Sequence, residues 1–389
     1  MFGAFLIGGM LCIAIWAYLL LAHGCFWRDP GASAPAAQSF SHDFAEVWQD
    51  RSIAVVIPAR NEADVVGRAV TSLLRQKYGG PLHVFLVDDN STDGTADVAA
   101  EVRGSQANRL TVISGTPLPP GWSGKLWAVQ QGIEQALRLH PDYLLLTDAD
   151  IEHAPGSLAA LVSLAETAGY DLASFMVKLR CESVAEKLLI PAFVFFFFLL
   201  YPPEWVRDPA RGTAGAAGGC MLVRPAALER IGGIAAIRHE VIDDCALARA
   251  VKRSGGKIWL GATSETHSLR PYESFGAIER MIARTAFNQL HHSLWLLLGT
   301  TLGMLLLYVL PMALLVSGSP RLAFAGAFAY GLMSFAYLPM VRVYRLNPLW
   351  ALTLPFAGVF YTVATIHSAV KYWTGRGGEW KGRAQDLGE

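Results

Sequence analysis

The chain has 389 residues, 53% of them hydrophobic and 16% charged, and its basic and acidic residues balance to a formal net charge of zero. Because soluble domains usually carry about 25% charged residues, this composition indicates an integral membrane protein with a soluble part. The balanced charge, without a basic stripe, excludes nucleic acid as an expected partner. The five cysteines show no paired spacing, which predicts neither a disulfide framework nor a zinc site and is typical of a reducing compartment.

Four apolar runs carry no Asp, Glu, Lys or Arg and, at about 20 residues, are long enough to cross a bilayer as helices. They cover residues 2–22, 294–316, 322–340 and 350–370. A signal peptide is the alternative for the first run. That run lacks a basic start and a small-residue cleavage site, which favours a retained anchor over residues 1–23. Residues 24–47, rich in Pro, Ala and Gly, are predicted to be a linker.

The basic residues beside these runs predict which side of the membrane each flank faces. Arg28 follows the first run, and Arg342 and Arg345 follow the third, so both flanks are expected in the cytoplasm. If every run of the transmembrane region 294–370 crosses, the tail 371–389 falls outside, although it carries several basic residues. A re-entrant or interfacial element among the four runs is the alternative.

Between residues 48 and 272, strand-like runs alternate with helix-like stretches. The predicted strands are "SIAVVIPA" (52–59), "LHVFLVDD", "RLTVISG" and "DYLLLTDAD". This alternation predicts an α/β domain with a parallel sheet, in which ligands bind beyond the carboxyl ends of the strands. Three strands end there in "PARNE", "DDNSTDG" and "DADIE". No G-x-G-x-x-G follows the first strand and no P-loop is present, so a bound nucleotide would need a divalent cation for its phosphates.

Five motifs carry a resemblance to a known family. They are "VVIPARNEADVVGRAVTSLLRQ", "VDDNSTDGTADVA", "LLTDADIEH", "GGCMLVRPAALERIGG" and "DDCALARAVKRSGGK", in this order within residues 52–290. In this combination the chain resembles the family 2 glycosyltransferases with the GT-A fold, a Rossmann-like and mostly parallel sheet, here expected over 48–272. The flanking apolar runs and "RMIARTAFNQL" resemble most the hopanoid-biosynthesis-associated membrane branch. The resemblance implies transfer of a sugar from a nucleotide-sugar, with a UDP-sugar as the expected donor.

The resemblance also assigns donor-binding residues. They are Pro58, Arg60 and Glu62 at the base, Asp88 and Asp89 at the base and ribose, Lys125 near the nucleotide, and Gly219 at the sugar and acceptor pocket. Arg60 stands where most members have an aromatic residue, so a guanidinium plane would replace base stacking. Processive synthases carry Q-x-x-R-W after the domain. This chain matches only the arginine, Arg284, which is expected to touch the diphosphate.

Two acidic pairs carry the chemistry that the resemblance implies. Asp148 and Asp150 form a D-x-D for Mg²⁺ or Mn²⁺ on the diphosphate, where the ion acts as a Lewis acid on the leaving group. Alternation along the strand puts residues i and i+2 on one side, so both carboxylates are expected to face the same ligand. Asp243 and Asp244 stand where the family has Glu-Asp, and Asp244 is the expected general base. A single base opposite the leaving group implies inversion.

Each motif also has a plain structural interpretation. A lone D-x-D is often a polar loop, acids such as Asp243 and Asp244 suit a helix N-terminus, and Lys125 could start a solvated helix. "GGCML" could be a simple bend. "NSTDGT" is a turn-and-cap sequence, and His153 has no partner at metal-ligand spacing, so both are expected to be structural.

Two segments are predicted to meet the membrane surface. The apolar residues 188–205 are too short to span before their two prolines, which favours an amphipathic or re-entrant surface, with a buried core helix as the alternative. Residues 273–293 are predicted to form an interfacial amphipathic helix.

These observations predict a membrane-anchored inverting glycosyltransferase of the bacterial inner membrane, with its catalytic domain in the cytoplasm. The expected partners are a nucleotide-sugar donor, a hopanoid or polyprenyl-type lipid acceptor, and the lipid bilayer. A processive polysaccharide synthase and a catalytically silent lipid-binding scaffold are the alternatives. The missing Q-x-x-R-W speaks against the first, and the intact carboxylates at 148, 150 and 244 speak against the second.

Overall fold

The structure, a computed structural model, describes residues 2–28, 48, 50–103, 108–375, 379–380 and 383–384. Of the predicted linker 24–47, only residues 24–28 are among the described residues. Of the predicted tail 371–389, residues 371–375 and two short strands are described, and the remainder lies outside the described residues.

The described residues include one large sheet and a short strand pair. The strands are β1 (Ile53–Ala59), β2 (Leu82–Asp88), β3 (Leu110–Ser114), β4 (Tyr143–Leu146), β5 (Ile151–Glu152), β6 (Leu172–Lys178), β7 (Met221–Val223), β8 (Ile258–Ser268), β9 (Glu379–Trp380) and β10 (Arg383–Ala384). The large sheet has eight strands in the order β3-β2-β1-β4-β7-β6-β8-β5. Only β7 and β5 run antiparallel to their neighbours within it. This mixed, mostly parallel sheet confirms the predicted α/β fold class.

The helices have the following bounds. They are α1 (Phe2–Ala22), α2 (Ala63–Leu74), α3 (Thr95–Arg103), α4 (Gly124–Ala136), α5 (Ser157–Ala168), α6 (Val184–Leu200), α7 (Pro203–Arg207), α8 (Pro225–Arg230), α9 (Asp243–Arg253), α10 (Phe275–Ala283), α11 (Ala286–Gln289), α12 (Leu294–Met304), α13 (Leu310–Leu315), α14 (Pro320–Val343) and α15 (Leu354–Trp373). A π-helical turn, Leu305–Val309, joins α12 to α13, and a 3-10 helix, Pro348–Thr353, precedes α15.

The described chain divides into two compact units. The sheet unit contains the large sheet and consists of described residues from 48 to 180 and from 205 to 270, with the short pair β9–β10. The helix unit consists of residues 2–28, Cys181–Glu204 and 271–375. The segment Cys181–Glu204, which lies inside the predicted domain 48–272, therefore belongs to the helix unit.

In the sheet unit, burial explains the strands and sets where they end. Every residue of β1 is buried, as expected for a parallel strand covered on both faces. The predicted strand "DYLLLTDAD" is shorter in the structure, because β4 ends at Leu146 and residues 147–150 leave the ladder. The chain turns here since the next strand, β5, pairs with β8 at the edge of the sheet. The prediction that strand alternation orients Asp148 and Asp150 is therefore wrong.

Four stretches of the described chain are helices long and apolar enough to cross a membrane. They are Phe2–Ala22, Leu294–Leu315, Pro320–Val343 and Pro348–Trp373. These correspond to the four apolar runs found in the sequence, and all four lie in the helix unit.

Contacts inside the helix unit define the directions of these helices. Helices α13 and α14 form a hairpin, because Gly326 of α14 lies directly against the backbone of α13. Helices α12 and α15 run antiparallel, since Leu297 and Ala369 share one apolar cluster and, further along, Tyr308 packs on Gly358. It follows that α14 and α15 are parallel and that both run towards the level where α12 begins.

Residues 344–353 connect two parallel helices and must therefore return along the bundle. In agreement, Tyr330 of α14 donates a hydrogen bond from its hydroxyl to Leu352 O at 2.6 Å. The last turns of α15 pack beside α10 and α11, where Ser368 Oγ accepts from Phe287 N at 3.0 Å. The tail thus begins at the end of the bundle where α12 starts. This arrangement corresponds to the alternative prediction of a re-entrant element.

Two segments predicted to lie on the membrane surface bury most of their apolar side chains inside the helix unit. Within 188–205, Phe195 is 1% exposed and packs on aromatic rings of α14 and of the chain after α1. The segment therefore forms the buried core helix of the alternative prediction. Ile278 and Ile282 of α10 are also buried, because this helix packs on α15. Part of the predicted apolar face of 273–293 therefore packs within the protein, whereas Phe275 on that face is exposed. The interfacial helix stays a prediction.

Candidate active site

The sheet unit brings several polar strand ends to one edge. Strands β2, β1 and β4 are adjacent and parallel, so the residues after Asp88, Ala59 and Leu146 lie side by side. Strand β7 runs antiparallel to β4 with Met221 opposite Leu146, which places the glycines before β7 at the same edge. Ligands of α/β sheets bind at this edge, beyond the carboxyl ends of the parallel strands.

One ammonium group lies at the centre of a first cluster. Lys125 stands in the first turn of α4, which the side chain of Ser123 caps. Its Nζ lies 3.0 Å from Asp148 Oδ1 and 3.1 Å from Asp243 Oδ2. Three separate motifs of the sequence therefore meet at Lys125, and the alternative of a solvated helix-start lysine is wrong. We call Lys125, Asp148, Asp243 and Asp244 the Lys125 cluster.

The charge of Lys125 is secured by its neighbours. Burial by itself lowers the pKa of the ammonium, but attraction to Asp148, Asp243 and Asp244 outweighs it and raises the pKa above its usual value. Lys125 is therefore a permanent cation among three acids. Below it the cluster rests on packed apolar side chains, with a cavity of about 20 Å³, the size of one water. A ligand must accordingly bind over the open side of the cluster.

Asp244 is held rigidly by two backbone amides. Its Oδ2 accepts from Gly218 N at 2.8 Å and its Oδ1 accepts from Cys245 N at 2.7 Å. Burial and repulsion from Asp243 raise the pKa of Asp244 to about 6, although Lys125 opposes the shift. A carboxylate with this pKa is ionised at neutral pH and binds a proton more strongly than an ordinary aspartate. Those are the properties of a general base.

The two glycines of "GGCML" have different surroundings. A Cβ at position 218 would lie 3.4 Å from both Asp244 Oδ2 and Lys125 Nζ, so Gly218 faces the Lys125 cluster. A Cβ at Gly219 would instead approach Val177 at 3.1 Å and Ile151 at 3.3 Å. Gly219, the residue predicted for the sugar pocket, therefore packs against the sheet. Gly218, which was not predicted, is the glycine that faces the site.

A second cluster forms around an arginine that the sequence analysis did not single out. Arg270, just beyond β8, pairs with Glu62 and lies with its Nε 3.4 Å from Asp150 Oδ2. The same Asp150 oxygen accepts from Ser268 Oγ at 2.6 Å. No sequence motif marks Arg270 or Ser268, because the pairing of β5 with β8 alone brings them to the D-x-D. We call Arg270, Glu62, Asp150 and Ser268 the Arg270 cluster.

The D-x-D carboxylates fit a divalent cation only with help from a ligand. Among the described residues, no group of three or more His, Cys, Asp or Glu side chains is arranged to hold a metal. The carboxylate oxygens are suitable ligands for a hard cation, and Asp148 is 35% exposed while Asp150 is 10% exposed. No described side chain binds Asp148 Oδ2. Since such cations take about six oxygens, phosphate oxygens and water would have to complete the set.

The predicted nucleotide residues lie on two loops that are bonded together. Arg60, after β1, donates to the carbonyl oxygens of Asp89 and Asn90 after β2 and lies 3.8 Å from Asp89 Oδ2. Asn61 joins the same loops, since its backbone N donates to Ser91 Oγ at 2.9 Å. Arg60 therefore braces the loops, and Ser91 has the structural role expected of it.

The other predicted nucleotide residues differ in accessibility. Pro58 is buried in β1 and offers no surface to a base, so its predicted contact is not supported by its position. Asp89 is also fully buried. Asp88 is partly buried, and its Oδ1 has no hydrogen-bond partner among the described residues. Arg284 belongs to the helix unit, where it caps α10 with an exposed side chain.

His153 supports the site from beneath, as its predicted structural role requires. Thr147 Oγ1 donates to Gly219 O at 2.7 Å and lies 3.0 Å from His153 Nε2. His153 is 2% exposed, and burial lowers its pKa to about 3. The imidazole is therefore neutral and joins the end of β4 to the glycine segment.

The fold and the site together define an α/β enzyme of the GT-A type. The profile of the glycosyltransferase-like family 2 matches residues 50–288. The chain therefore belongs to this family.

Several known proteins are similar to this chain. An undecaprenyl-phosphate 4-deoxy-4-formamido-L-arabinose transferase of Pectobacterium atrosepticum is 28% identical over 140 residues, which are 36% of this chain and 40% of that protein. A 4,4'-diaponeurosporenoate glycosyltransferase of Staphylococcus aureus is 33% identical over 104 residues, 27% of this chain and 25% of that protein. This chain thus spans less than half the length of these curated relatives.

One solved structure shares the fold over nearly the whole chain. It is a mannosyltransferase of Pyrobaculum calidifontis in complex with GDP-Man and Mn²⁺, with a TM-score of 0.53 and 17% identity. The likeness covers 93% of this chain and 99% of that one.

Proposed function

We propose that this protein transfers a sugar, with inversion, from a nucleotide-sugar to a lipid acceptor at the cytoplasmic face of a membrane. The Lys125 cluster is the observation that carries the proposal. It joins the D-x-D acid Asp148 to the acidic pair of α9 through one ammonium group. The same small network would therefore bind the leaving diphosphate of the donor and take the proton from the acceptor's hydroxyl.

The donor side of the site would use Asp148 and Asp150 together with Lys125. Mg²⁺ or Mn²⁺ held by these aspartates would supply a Lewis acid for the leaving diphosphate. The ammonium of Lys125 adds a fixed positive charge close to Asp148. Arg60 and Glu62, on loops after β1, would bind the nucleotide, with Asp88 as the partly open acid after β2. A UDP-sugar is the donor that we propose.

The acceptor side would use Asp244 as the general base. Its carboxylate is fixed by Gly218 N and Cys245 N, which leaves little freedom in its direction. Proton removal from the acceptor hydroxyl strengthens that oxygen as a nucleophile. No second acid is needed as a covalent nucleophile, so a single displacement, and hence inversion, is the simplest outcome.

A lipid acceptor is supported by the helix unit and by the relatives. The helix unit contains four helices that are long and apolar enough to cross a bilayer. The relatives from Pectobacterium and Staphylococcus are named for undecaprenyl phosphate and for diaponeurosporenoate, both of which combine a long hydrocarbon chain with an acidic group. We propose a hopanoid or polyprenyl-type lipid as the acceptor.

The proposed side of the membrane rests on charge. Arg342 and Lys371 lie in the last turns of α14 and α15, and Arg345 follows α14, so all three are near the level where α12 begins. Helix α1 ends towards the same level, because Gly9 lies against Leu314 and Trp16 bonds to Leu307, and Arg28 follows it. Basic residues accumulate on the cytoplasmic side of bacterial membranes. This end of the helix unit is therefore proposed to face the cytoplasm of a bacterial inner membrane.

Transfer assays on the full-length protein in detergent or nanodiscs test the proposal. Labelled UDP-sugars and GDP-sugars are offered with Mn²⁺ and membrane lipid extract, and labelled lipid is quantified. We expect Asp244→Asn to lower kcat about 10³-fold, because general bases contribute about 10²–10⁴-fold, while nucleotide binding persists. Asp97→Asn is the matched control, since Asp97 is also an acid in the first turn of a helix but is exposed.

The outcomes separate the candidate functions. Equal transfer by wild type and Asp244→Asn would show that the base is assigned wrongly. Nucleotide binding without transfer to any lipid would support the silent scaffold, and repeated sugar addition to one acceptor would support the processive synthase. Mass spectrometry of lipids from cells with and without the protein then identifies the product.

A further inference from the structure

Both acids of the D-x-D are paired with a cation of the protein itself. Asp148 lies 3.0 Å from Lys125 Nζ, and Asp150 lies 3.4 Å from Arg270 Nε. The two pairs differ in their supports. Asp150 also accepts from the Ser268 hydroxyl at 2.6 Å, whereas Lys125 is the one described side chain that binds the Asp148 carboxylate. Asp148 therefore depends on Lys125 for its charge compensation.

The position of Lys125 resembles that of a bound cation. Its Nζ is at hydrogen-bond distance from carboxylate oxygens of two segments, Asp148 and Asp243, and lies beside Asp244. One positive charge among three carboxylates leaves the cluster with a net negative charge. Such a cluster still attracts a divalent cation, but the ammonium already occupies one oxygen of Asp148. An ammonium and a divalent ion that share this carboxylate repel each other strongly at such short range.

We propose that Lys125 is an internal counter-cation that competes with the divalent metal for Asp148 until a nucleotide diphosphate arrives. In the donor-free protein the ammonium holds Asp148 and Asp243 together and weakens metal binding. When the diphosphate binds, its oxygens offer Lys125 another anion, and the ammonium releases Asp148 while it stays near Asp243. Metal and nucleotide then strengthen each other's binding, and this coupling is reciprocal. This inference rests on the proposed function.

The inference explains why the described residues include no complete metal site. A site that bound Mn²⁺ firmly without donor would keep the ion whether or not a sugar was present. With Lys125 as a competitor, the protein has its full set of ligands only when the diphosphate supplies oxygens. Lys125 is thus a positioning residue for Asp148 in addition to its place near the donor.

Manganese binding to the full-length protein, measured by electron paramagnetic resonance with and without UDP or GDP, tests the inference. Wild type is expected to bind Mn²⁺ weakly alone and more tightly with nucleotide. Lys125→Gln is expected to bind Mn²⁺ about tenfold more tightly without nucleotide, because the competing charge is gone. The gain in Mn²⁺ affinity that nucleotide confers should shrink by a similar factor. Unchanged or weaker Mn²⁺ binding by Lys125→Gln alone would overturn the inference.

A charge-matched double variant separates competition from a general electrostatic effect. Lys125→Gln with Asp243→Asn removes one positive and one negative charge, so the net charge of the cluster stays the same. We expect this double variant to bind Mn²⁺ more tightly than wild type without nucleotide, since Asp148 is released. Binding equal to wild type would mean that net charge alone matters, and the inference would fail. The double variant leaves two acids without a cation, whereas Lys125→Gln leaves three. It is therefore expected to fold more stably and replaces Lys125→Gln in the test if that single variant unfolds.

Asp148→Asn distinguishes this inference from the proposed function. If Asp148→Asn abolishes nucleotide-dependent Mn²⁺ binding but Lys125→Gln has no effect, the metal assignment stands and the counter-cation is wrong. If Asp148→Asn and Asp150→Asn both leave Mn²⁺ and nucleotide binding unchanged, the D-x-D assignment fails, and the proposed function fails with it.

Discussion

The two clusters of the sheet unit pair the same motif with different cations. The Lys125 cluster gathers three acids around one ammonium, and the Arg270 cluster gathers two acids and a hydroxyl around one guanidinium. In the first, the number of acids exceeds the number of cations, which suits a site that binds a metal and transfers a proton. In the second, the excess is one acid rather than two, and the Ser268 hydroxyl and a strand pairing fix Asp150. From this difference we propose that Lys125 acts in the chemistry and that Arg270 mainly holds a loop.

Of the variants that compare the two clusters, Lys125→Gln is expected to have the largest effect. Lys125→Gln should lower kcat/KM for sugar transfer about 10²-fold or more, because loss of one preorganised donor to a developing negative charge costs about 10²–10³-fold. Steady-state kinetics with saturating Mn²⁺ measure this loss. A loss no greater than that of Arg270→Gln would contradict the distinction between the clusters.

Arg270→Gln should have a smaller effect, about tenfold, and mainly in the KM for the donor. Arg270 holds Glu62 on the loop after β1, while Ser268 still binds Asp150 when the guanidinium is removed. A drop in kcat with KM unchanged would place Arg270 in the chemistry instead. The matched control is Arg68→Gln, because Arg68 pairs with Glu152 but is 64% exposed, and it should change kcat/KM less than about twofold.

The pH dependence of transfer tests Asp244. Its pKa is raised to about 6, and the base must be ionised to accept a proton. Activity should therefore be constant above about pH 7 and fall as the pH drops through 6, to about one tenth at pH 5. Values of kcat/KM measured from pH 5 to 8 at constant ionic strength would show this fall in activity at acidic pH. A flat profile down to pH 5 would remove Asp244 as the base.

His153 should make the stability of the sheet unit depend on pH. Burial lowers its folded-state pKa to about 3, below the ordinary value of about 6.5 in the unfolded chain. The unfolded state then binds more protons, so stability is complete above pH 6.5 and falls as the pH decreases towards 3. Between pH 7 and 5 the expected loss is about 2 kcal/mol.

Thermal unfolding of the detergent-solubilised protein measures that loss. His153→Gln keeps a hydrogen-bond donor for Thr147 but cannot be protonated, so its unfolding temperature should fall less between pH 7 and 5 than that of wild type. Equal falls in both proteins would show that other groups cause the acid sensitivity.

The side of the membrane on which the C-terminal tail lies tests the direction of α15. No change in activity is expected in this experiment. If α14 and α15 are parallel, the tail lies on the same side as the start of α12. That side is proposed to be the cytoplasm. A green fluorescent protein fused after residue 389 should therefore fluoresce, and an alkaline phosphatase fused there should be inactive. The opposite pattern would restore the prediction in which all four runs cross.

Much of the fold follows from local patterns in the sequence. The β-branched runs and the amphipathic pattern of α2 reflect burial of neighbouring residues, so β1, α2 and β2 lie close to where they are expected. The end of β4 is different, because the chain leaves the ladder to pair β5 with β8, and no local pattern reports a partner so far along the chain. For the same reason the apolar run of α6 did not predict that Phe195 would be buried against Phe26 and Tyr337, which lie in distant segments.

The sequence by itself determined the α/β class, the four apolar helices, the family motifs and the acids at the strand ends. It did so because hydrophobic periodicity, length and turn chemistry act over a few residues. Only the tertiary structure decided that Lys125 joins Asp148 to Asp243, that Arg270 joins Glu62 to Asp150, and that Gly218 faces the site. It also decided that α15 runs parallel to α14. Each of these is a contact between distant segments, which sheet register and helix packing select.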